Sequence, residues 1–596
     1  MKKILSHFTA LREVTLLLLS LACSFTVLFF SPADIYIGNQ REFSVNSKDI
    51  LVPLLICAGI GFAALAIFFN ILLAVHPAVF DIGANLCFGV LLSFYLQMLF
   101  LNGNMMAMTG DYKSYSLKNG YVKINLVITA LIAIAPLAVW IIKHKVKDNP
   151  VLNIGGGKAM VFLCGAMFLM QAVGTVGAVS SQGLNKYKRN YEKYLSYKPT
   201  MTLSSDENII VFLTDRLDSL WMDEMLEKYP EIVGEFDGFT FYQNNVARNT
   251  NTFPSVPQML TVDTYNGQEW GDYFEEAWSG DTLPDELKKN GYNVYLLISN
   301  KTTYGDEVRD LDGKCDNLID EEDGITVNYT GKRGVVPTMI DLSLGKLTPY
   351  CLKGTFVGKY NSDFDSGFLN FPDTEDDRLA KALGVDSDIA YYAYLQEHGL
   401  KTGSSKPTFT FVHLNCSHDK STKLATLHGG YDTSKEKADV YETTRGDFEI
   451  LFEYFEQLKE LGIYDNTTII ILGDHGRAPR EIEKENDFYL TSAITTGLLI
   501  KPAGSRGEIE LNDTAELSNE YLPASVLEYA GADHSVYGIS YNDVINGDLH
   551  PERILQCYRW HTFGDMDIAA RYSITGDARD FDNWVLLNPE DNPHQK

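Results

Sequence analysis

Thr467-Thr-Ile-Ile-Ile-Leu-Gly-Asp474-His475-Gly476 is the stretch on which the reading of this chain turns. A short β-branched apolar run, closed by a glycine and followed by a carboxylate and an imidazole, reads as a buried strand that ends in polar chemistry. Far upstream, Asn208-Ile-Ile-Val-Phe-Leu-Thr-Asp215 repeats the pattern. Further apolar runs at 294–298 and 408–412 read as strands of the same kind, and helical periodicity fills 217–228, 284–289, 391–398 and 440–461. This alternation predicts an α/β domain with a central mixed, largely parallel sheet. In such sheets ligands gather beyond the carboxyl ends of the strands, where Asp215, Asp474 and His475 stand.

The first third of the chain is of another kind. Apolar runs lie near 14–31, 50–75, 81–101, 122–142 and 159–180, each about as long as the roughly 20 residues a helix needs to cross a bilayer. They predict an α-helical membrane domain of five transmembrane helices over 1–180, integral to the membrane. The first run is expected to remain as an anchor, because no small-residue cleavage site closes it. Lys2, Lys3 and Arg12 precede the first run, and Lys143, Lys145, Lys147 and Lys158 lie between the fourth and fifth. Positive residues favour the cytoplasmic side, so five crossings leave the rest of the chain outside the cell membrane. Residues 181–207, rich in Lys and Tyr (Tyr187, Tyr191, Tyr194, Tyr197), read as a juxtamembrane linker. Residues 208–596 read as the extracytoplasmic catalytic domain, ending in a small β element. A helix closed by Gly531 is expected over 519–531.

With 596 residues there is ample chain for more than one core. The formal charge of -28, from 50 Lys+Arg against 78 Asp+Glu, excludes nucleic acid as a partner, since phosphate backbones attract clustered cations. Acidic groups at 320–323 and 373–377 read as solvated surface rather than calcium sites. No zinc-type spacing occurs among the 8 Cys, so free thiols are expected, with a Cys315–Cys351 disulfide as the alternative in an oxidising space.

A carboxylate and an imidazole delivered from one strand end suit a divalent ion with oxygen and nitrogen donors. A lone Asp at a strand end also commonly caps the next helix, and Asp218 reads as a helix cap or as a group that supports the metal ligands from behind. The third chemical stretch is Asn249-Thr-Asn-Thr252-Phe-Pro-Ser255-Val-Pro257-Gln-Met259-Leu-Thr261. Hydroxyls at the start of an apolar helix serve as N-caps. The same place gives a phosphoryl group backbone N–H donors and the helix dipole, and a cation there would turn a hydroxyl into a nucleophile. His413, at a strand end, is either a satisfied core histidine or a ligand. Arg477 can hold a phosphate oxygen as a planar fork.

These residues resemble the alkaline phosphatase and sulfatase superfamily, and within it the lipoteichoic acid synthases and lipid A phosphoethanolamine transferases, in which five membrane spans precede an extracytoplasmic sulfatase-like domain. Asp215 resembles the metal-binding acid that closes the family's first strand, and Asp474-His475-Gly476 resembles its later metal-binding pair. Thr252-Phe-Pro254-Ser255 is similar to the sulfatase Cys-x-Pro-Ser motif, with Thr at the nucleophile, and 252–259 resembles the segment around the transferase nucleophile. Threonine cannot yield the formylglycine that sulfatases need, so the resemblance implies phosphotransfer. It implies one divalent metal ion (manganese, magnesium or zinc) held by Asp215, Thr252, Asp474 and His475. His413-Leu-Asn-Cys-Ser-His418 resembles the segment whose second His contacts substrate phosphate. His418 is therefore the expected phosphate contact and leaving-group acid, with His413 and Arg477 beside it as substrate contacts. A further His of the transferases is replaced by Thr491 after Tyr489-Leu490. The implied reaction moves a phosphoglycerol or phosphoethanolamine group from a membrane phospholipid donor to an envelope glycan or lipid acceptor. Hydrolysis on the same fold, or a non-catalytic envelope assembly role, are the alternatives.

Overall fold

The structure is a computed structural model that describes residues 9–40, 43, 45–102, 119–145, 156–184, 193–298, 307–319, 328–329, 332–357, 369–370, 385–415, 424–426, 430–432, 439–477, 495–547, 549–560 and 566–587. The chain divides into two compact units. One comprises Met1–Arg189, Asn328–Asn370 and Thr562–Asp565, and the other Asn190–Val327, Phe371–His561 and Met566–Lys596.

Among the described residues, the first unit holds five helices long and apolar enough to cross a membrane: Ala10–Gly38, Ser47–Val75, Pro77–Leu101, Gly120–Lys143 and Gly157–Gln182. They leave Ile60 67%, Leu131 65%, Phe162 73% and Val173 70% exposed. Large aliphatic side chains presented outward on apolar helices belong against lipid rather than in a water-soluble core. Two of the helices contain π-helical turns, Thr26–Phe30 and Gln97–Leu101. Next to these turns, carbonyls take partners from outside their own helix: Ser343 donates to Val27 O at 3.0 Å and Tyr350 to Asn102 O at 2.6 Å.

Those partners come from a segment that sequence reading places in the outward domain. Residues 328–370 belong with the helical unit, through helices Lys332–Leu347 and Tyr350–Val357. Val335, Met339 and Leu342, one face of the first of these helices, are fully buried in a cluster with Ala33, Ile37, Phe43 and Leu54. A buried amide chain secures the second helix. Asn125 donates to Gln97 Oε1 at 2.9 Å, Gln97 donates to Asn102 Oδ1 at 2.8 Å, and Asn125 Oδ1 accepts the Tyr350 N–H at 3.1 Å. Fully buried Lys353 donates to the Gly345 carbonyl at 2.5 Å, capping the preceding helix.

The second unit is built on a seven-stranded sheet. Its strands are β1 Asn208–Thr214, β2 Thr240–Tyr242, β3 Asn293–Leu297, β4 Thr408–Leu414, β5 Thr467–Leu472, β6 Leu498–Lys501 and β7 Glu510–Asn512, in the spatial order β7-β2-β6-β5-β1-β4-β3. The pairs β5·β1, β1·β4 and β4·β3 are parallel, and β6 pairs antiparallel with both of its neighbours. The sheet is thus mixed and mostly parallel. Strand β1 is buried along its whole length because both faces are covered: Ile209, Val211 and Leu213 pack in one core cluster, Ile210 and Phe212 in the other. Helices α1 Ser219–Lys228, α2 Thr252–Thr261, α3 Val440–Glu460 and α4 Leu522–Tyr529 supply much of that cover. Strands Arg553–Trp560, Met566–Ile574 and Trp584–Leu586 form the small antiparallel carboxyl-terminal sheet.

The juxtamembrane stretch differs from its reading as a linker. Tyr194–Leu195 pairs with Leu318–Ile319, and Thr202–Ser204 pairs with Lys401–Ser404. Tyr197 is buried edge-on against Tyr391 and Tyr394, because an aromatic ring gains more in that core than at an interface. Tyr187 and Tyr191 lie outside the described residues, as do 320–323 and 373–377. Cys315 and Cys351 are both free thiols.

Replacing Asn125 by Leu leaves the Gln97 carbonyl and the Tyr350 N–H without their buried partner. The substitution should lower the stability of the detergent-solubilised chain by about 1 kcal/mol, read as an earlier thermal unfolding midpoint. Leu131→Ala, on the exposed face, should leave that midpoint unchanged.

Candidate active site

Strands β5, β1 and β4 are neighbours and run parallel, so their carboxyl ends meet at one place. Leu472 is in register with Leu213, and Leu213 with His413. Just beyond those positions stand Asp474 and Asp215, with His413 on β4 itself. Asp215, His413 and Asp474 each offer a ligand atom, all within 4.8 Å of one another, and all three are buried.

His475 and Thr252 complete the cluster. His475 Nε2 lies 3.5 Å from Asp474 Oδ2, 3.9 Å from Asp215 Oδ1 and 3.2 Å from Thr252 Oγ1. His413 Nε2 lies 3.9 Å from Asp215 Oδ2. Ligands about 2 Å from one shared ion in a tetrahedral array stand roughly 3.3 Å apart, so these separations are those of donors facing a common centre. The Nδ1 of His475 is 2.8 Å from the Gly476 carbonyl, which can only accept. Nδ1 therefore carries the proton, and the Nε2 lone pair faces Thr252, whose hydroxyl donates to it.

Electrostatics agree with that geometry. Burial, then the neighbouring Asp474 charge, hold the Asp215 carboxyl well above the usual range. Burial also opposes ionisation of Asp474, but His475 and His413 outweigh it and hold its carboxyl low. Burial draws the His475 imidazole down, while the Asp474 charge pulls the other way. Two adjacent buried carboxylates, one ionised at the expense of the other, with nitrogen and hydroxyl donors between them, fit a single divalent cation. Superfamily members use such ions, and the residues present here form a candidate site for one.

Local structure fixes the pieces. Thr252 is the first residue of α2, so the helix presents its amino-terminal N–H groups beside the hydroxyl. Asp218 does cap α1, accepting the Trp221 N–H at 2.7 Å. Arg216, directly after Asp215, adopts φ 63, a left-handed conformation that is costly for a residue with Cβ, and its N–H donates to Asp474 Oδ1 at 2.9 Å. That turn brings the Leu217 carbonyl to the Gly497 N–H at 2.8 Å and against Gly473, where an added Cβ would stand 2.0 Å from the same oxygen.

Of the residues read from sequence, Asp215, Thr252, Asp474 and His475 come together. His413, read as a substrate contact, sits inside the carboxylate cluster. Arg477 lies two residues beyond His475, its guanidinium 4.7 Å above the Trp221 ring. His418 and Thr491 lie outside the described residues. Sequence reading missed Gly473, visible only as the residue before Asp474, and Asp388, which accepts the Asn415 N–H at 2.6 Å just after His413. No local motif marks Asp388.

A largely parallel sheet that gathers acids, imidazoles and a helix-borne hydroxyl at its strand ends defines the sulfatase and alkaline phosphatase class. Residues 208–532 match the family model described as Sulfatase, and the chain belongs to that family. Lipoteichoic acid synthase 1 of Bacillus subtilis (strain 168) is 26% identical over 191 residues, a match that spans 27% of this chain and 29% of that protein, less than a third of its length. Among solved structures, a protein in the alkaline phosphatase superfamily from Vibrio parahaemolyticus aligns over 67% of this chain and 80% of its own, at 14% identity and TM-score 0.38. The lipoteichoic acid synthase LtaP from Listeria monocytogenes aligns over 67% and 92%, at 11% identity and TM-score 0.32. The chain is a member of the Sulfatase family that also carries helices long and apolar enough to cross a membrane.

Gly473→Ala forces Cβ into the Leu217 backbone, so Asp474 must move. Overpacking of this kind costs about 1–3 kcal/mol, and displacing a ligand's support weakens metal binding about 10- to 100-fold. Manganese or zinc retained after dialysis should fall accordingly, whereas Gly280→Ala, with open space at Cβ, should retain as much as the parent.

Proposed function

We propose that this chain is a membrane-anchored phosphotransferase that moves a phosphoglycerol or phosphoethanolamine group from a phospholipid to an envelope glycan or lipid through a phosphothreonine at Thr252. The observation that carries the reading is the Thr252 hydroxyl, 3.2 Å from His475 Nε2 at the first turn of α2, beside the buried pair Asp215 and Asp474.

Asp215, Asp474, His475 and Thr252 would hold the divalent ion, with His413 within the same cluster. When bound, that ion lowers the pKa of a coordinated hydroxyl and offsets phosphoryl charge. Thr252 Oγ1 attacks phosphorus and gives up its proton to water, the α2 N–H groups hold the non-bridging oxygens, and the bond to the diacylglycerol oxygen breaks. His418 supplies the proton that this oxygen takes. In the second half an acceptor hydroxyl gives its proton to His418 as it attacks phosphorus, the bond from phosphorus to Thr252 Oγ1 breaks, and Thr252 takes a proton from water. Phosphatidylglycerol and phosphatidylethanolamine are the proposed donors, and the lysines flanking the spans support an outward-facing catalytic domain.

The test incubates the purified full-length chain with each labelled phospholipid and with manganese, magnesium or zinc, then maps label on the protein by mass spectrometry. Label on Thr252 with release of diacylglycerol is the expected result. Thr252→Ala should abolish the adduct and lower turnover by about 10³-fold or more. Equal turnover in Thr252→Ala would overturn the proposal, and water as the sole acceptor across envelope glycans and lipids would make the enzyme a hydrolase.

EDTA treatment should abolish labelling of Thr252, and one readded divalent metal should restore it, while labelling that survives chelation would remove the cation from the reading.

A further inference from the structure

Two residues beyond His475, Arg477 ends a stacked ladder of side chains drawn from three separate segments. Arg477 stacks on the Trp221 indole, which stacks in turn on Tyr441 with ring centroids 4.0 Å apart and planes 18° from parallel. Lys228 Nζ closes the far face of Tyr441 at 4.0 Å from its centroid. Hydrogen bonds fix both rings: Trp221 Nε1 donates to Thr444 Oγ1 at 3.1 Å, and the Tyr441 hydroxyl donates to Glu224 at 2.5 Å. Asp218 ties the ladder to the site, because Oδ1 accepts the Trp221 N–H at 2.7 Å while Oδ2 accepts the Arg477 N–H at 3.4 Å.

Stacking fixes the plane of a guanidinium, and a guanidinium of fixed plane suits a forked contact to phosphoryl oxygens. An arginine kept only for surface pairing needs no aromatic platform, and exposed ion pairs contribute little. We propose that Arg477 binds the non-bridging oxygens of the phosphodiester and that Trp221 is the positioning residue that orients it. The inference rests on the phosphotransfer reading above and adds what selects an anionic phosphoryl group.

The test uses the full-length Thr252→Ala chain, in which no adduct forms, and measures binding of inorganic phosphate by calorimetry with manganese present. Arg477→Ala and Trp221→Leu, which keeps apolar bulk but removes the π face, should each weaken phosphate about tenfold. The double variant should bind no more weakly than Arg477→Ala, and Trp221→Phe should restore most of the affinity. Manganese content and unfolding midpoint, measured on every variant, separate positioning from damage to the fold. Unchanged affinity in either single variant, or additive losses in the double, would overturn the proposal. Failure of the phosphotransfer reading would appear elsewhere, as no Thr252 adduct in the parent chain.

Discussion

Two carboxyls side by side in a dry interior cannot both ionise without a positive partner, and the second unit places Asp215 and Asp474 in that position. Removing such groups from water costs several kcal/mol each unless charge and hydrogen bonds answer them. Here His413, His475, the Arg216 N–H and the Thr252 hydroxyl surround the pair. Such an arrangement is destabilising as packing and explicable as a cation site, so the requirement for charge balance links fold to chemistry.

The sheet meets this requirement through topology. Parallel neighbours present their carboxyl ends together, and residues separated by some 260 positions in sequence become adjacent without a long loop. The close approach of Leu217 to Gly473 and Gly497 and the left-handed turn at Arg216 then set the carboxylates at a fixed spacing. Strain and loss of side chains at these points are tolerated because the buried strands on either side determine the backbone.

Much of this was legible in the residues. Each of the strand readings matches a strand of the one sheet, that at 294–298 running one residue past Leu297, because buried parallel strands write themselves as continuous apolar runs. Asp474-His475 and Thr252 could be singled out because strand-end acids and helix-start hydroxyls are local signals. The place of His413 was not legible, since a histidine at a strand end looks the same as ligand, core residue or substrate contact until its neighbours in space are known. Trp221 was invisible for a related reason: its partners Tyr441 and Arg477 lie more than two hundred residues away. The 328–370 segment escaped because Val335, Met339 and Leu342 form an ordinary amphipathic stripe, and sequence does not say which unit that stripe covers.

That segment alters how firmly the enzyme is retained. The chain passes from the helical unit to the sheet unit after Arg189, returns at Asn328, and leaves again after Asn370. A protease that severed the backbone once, between Gln182 and Tyr194, would therefore shed nothing. The Asn125–Tyr350 hydrogen bond and the apolar face of Lys332–Leu347 would keep the two cut pieces joined, and parting them would need a second scission or the extraction of a docked helix from its seat.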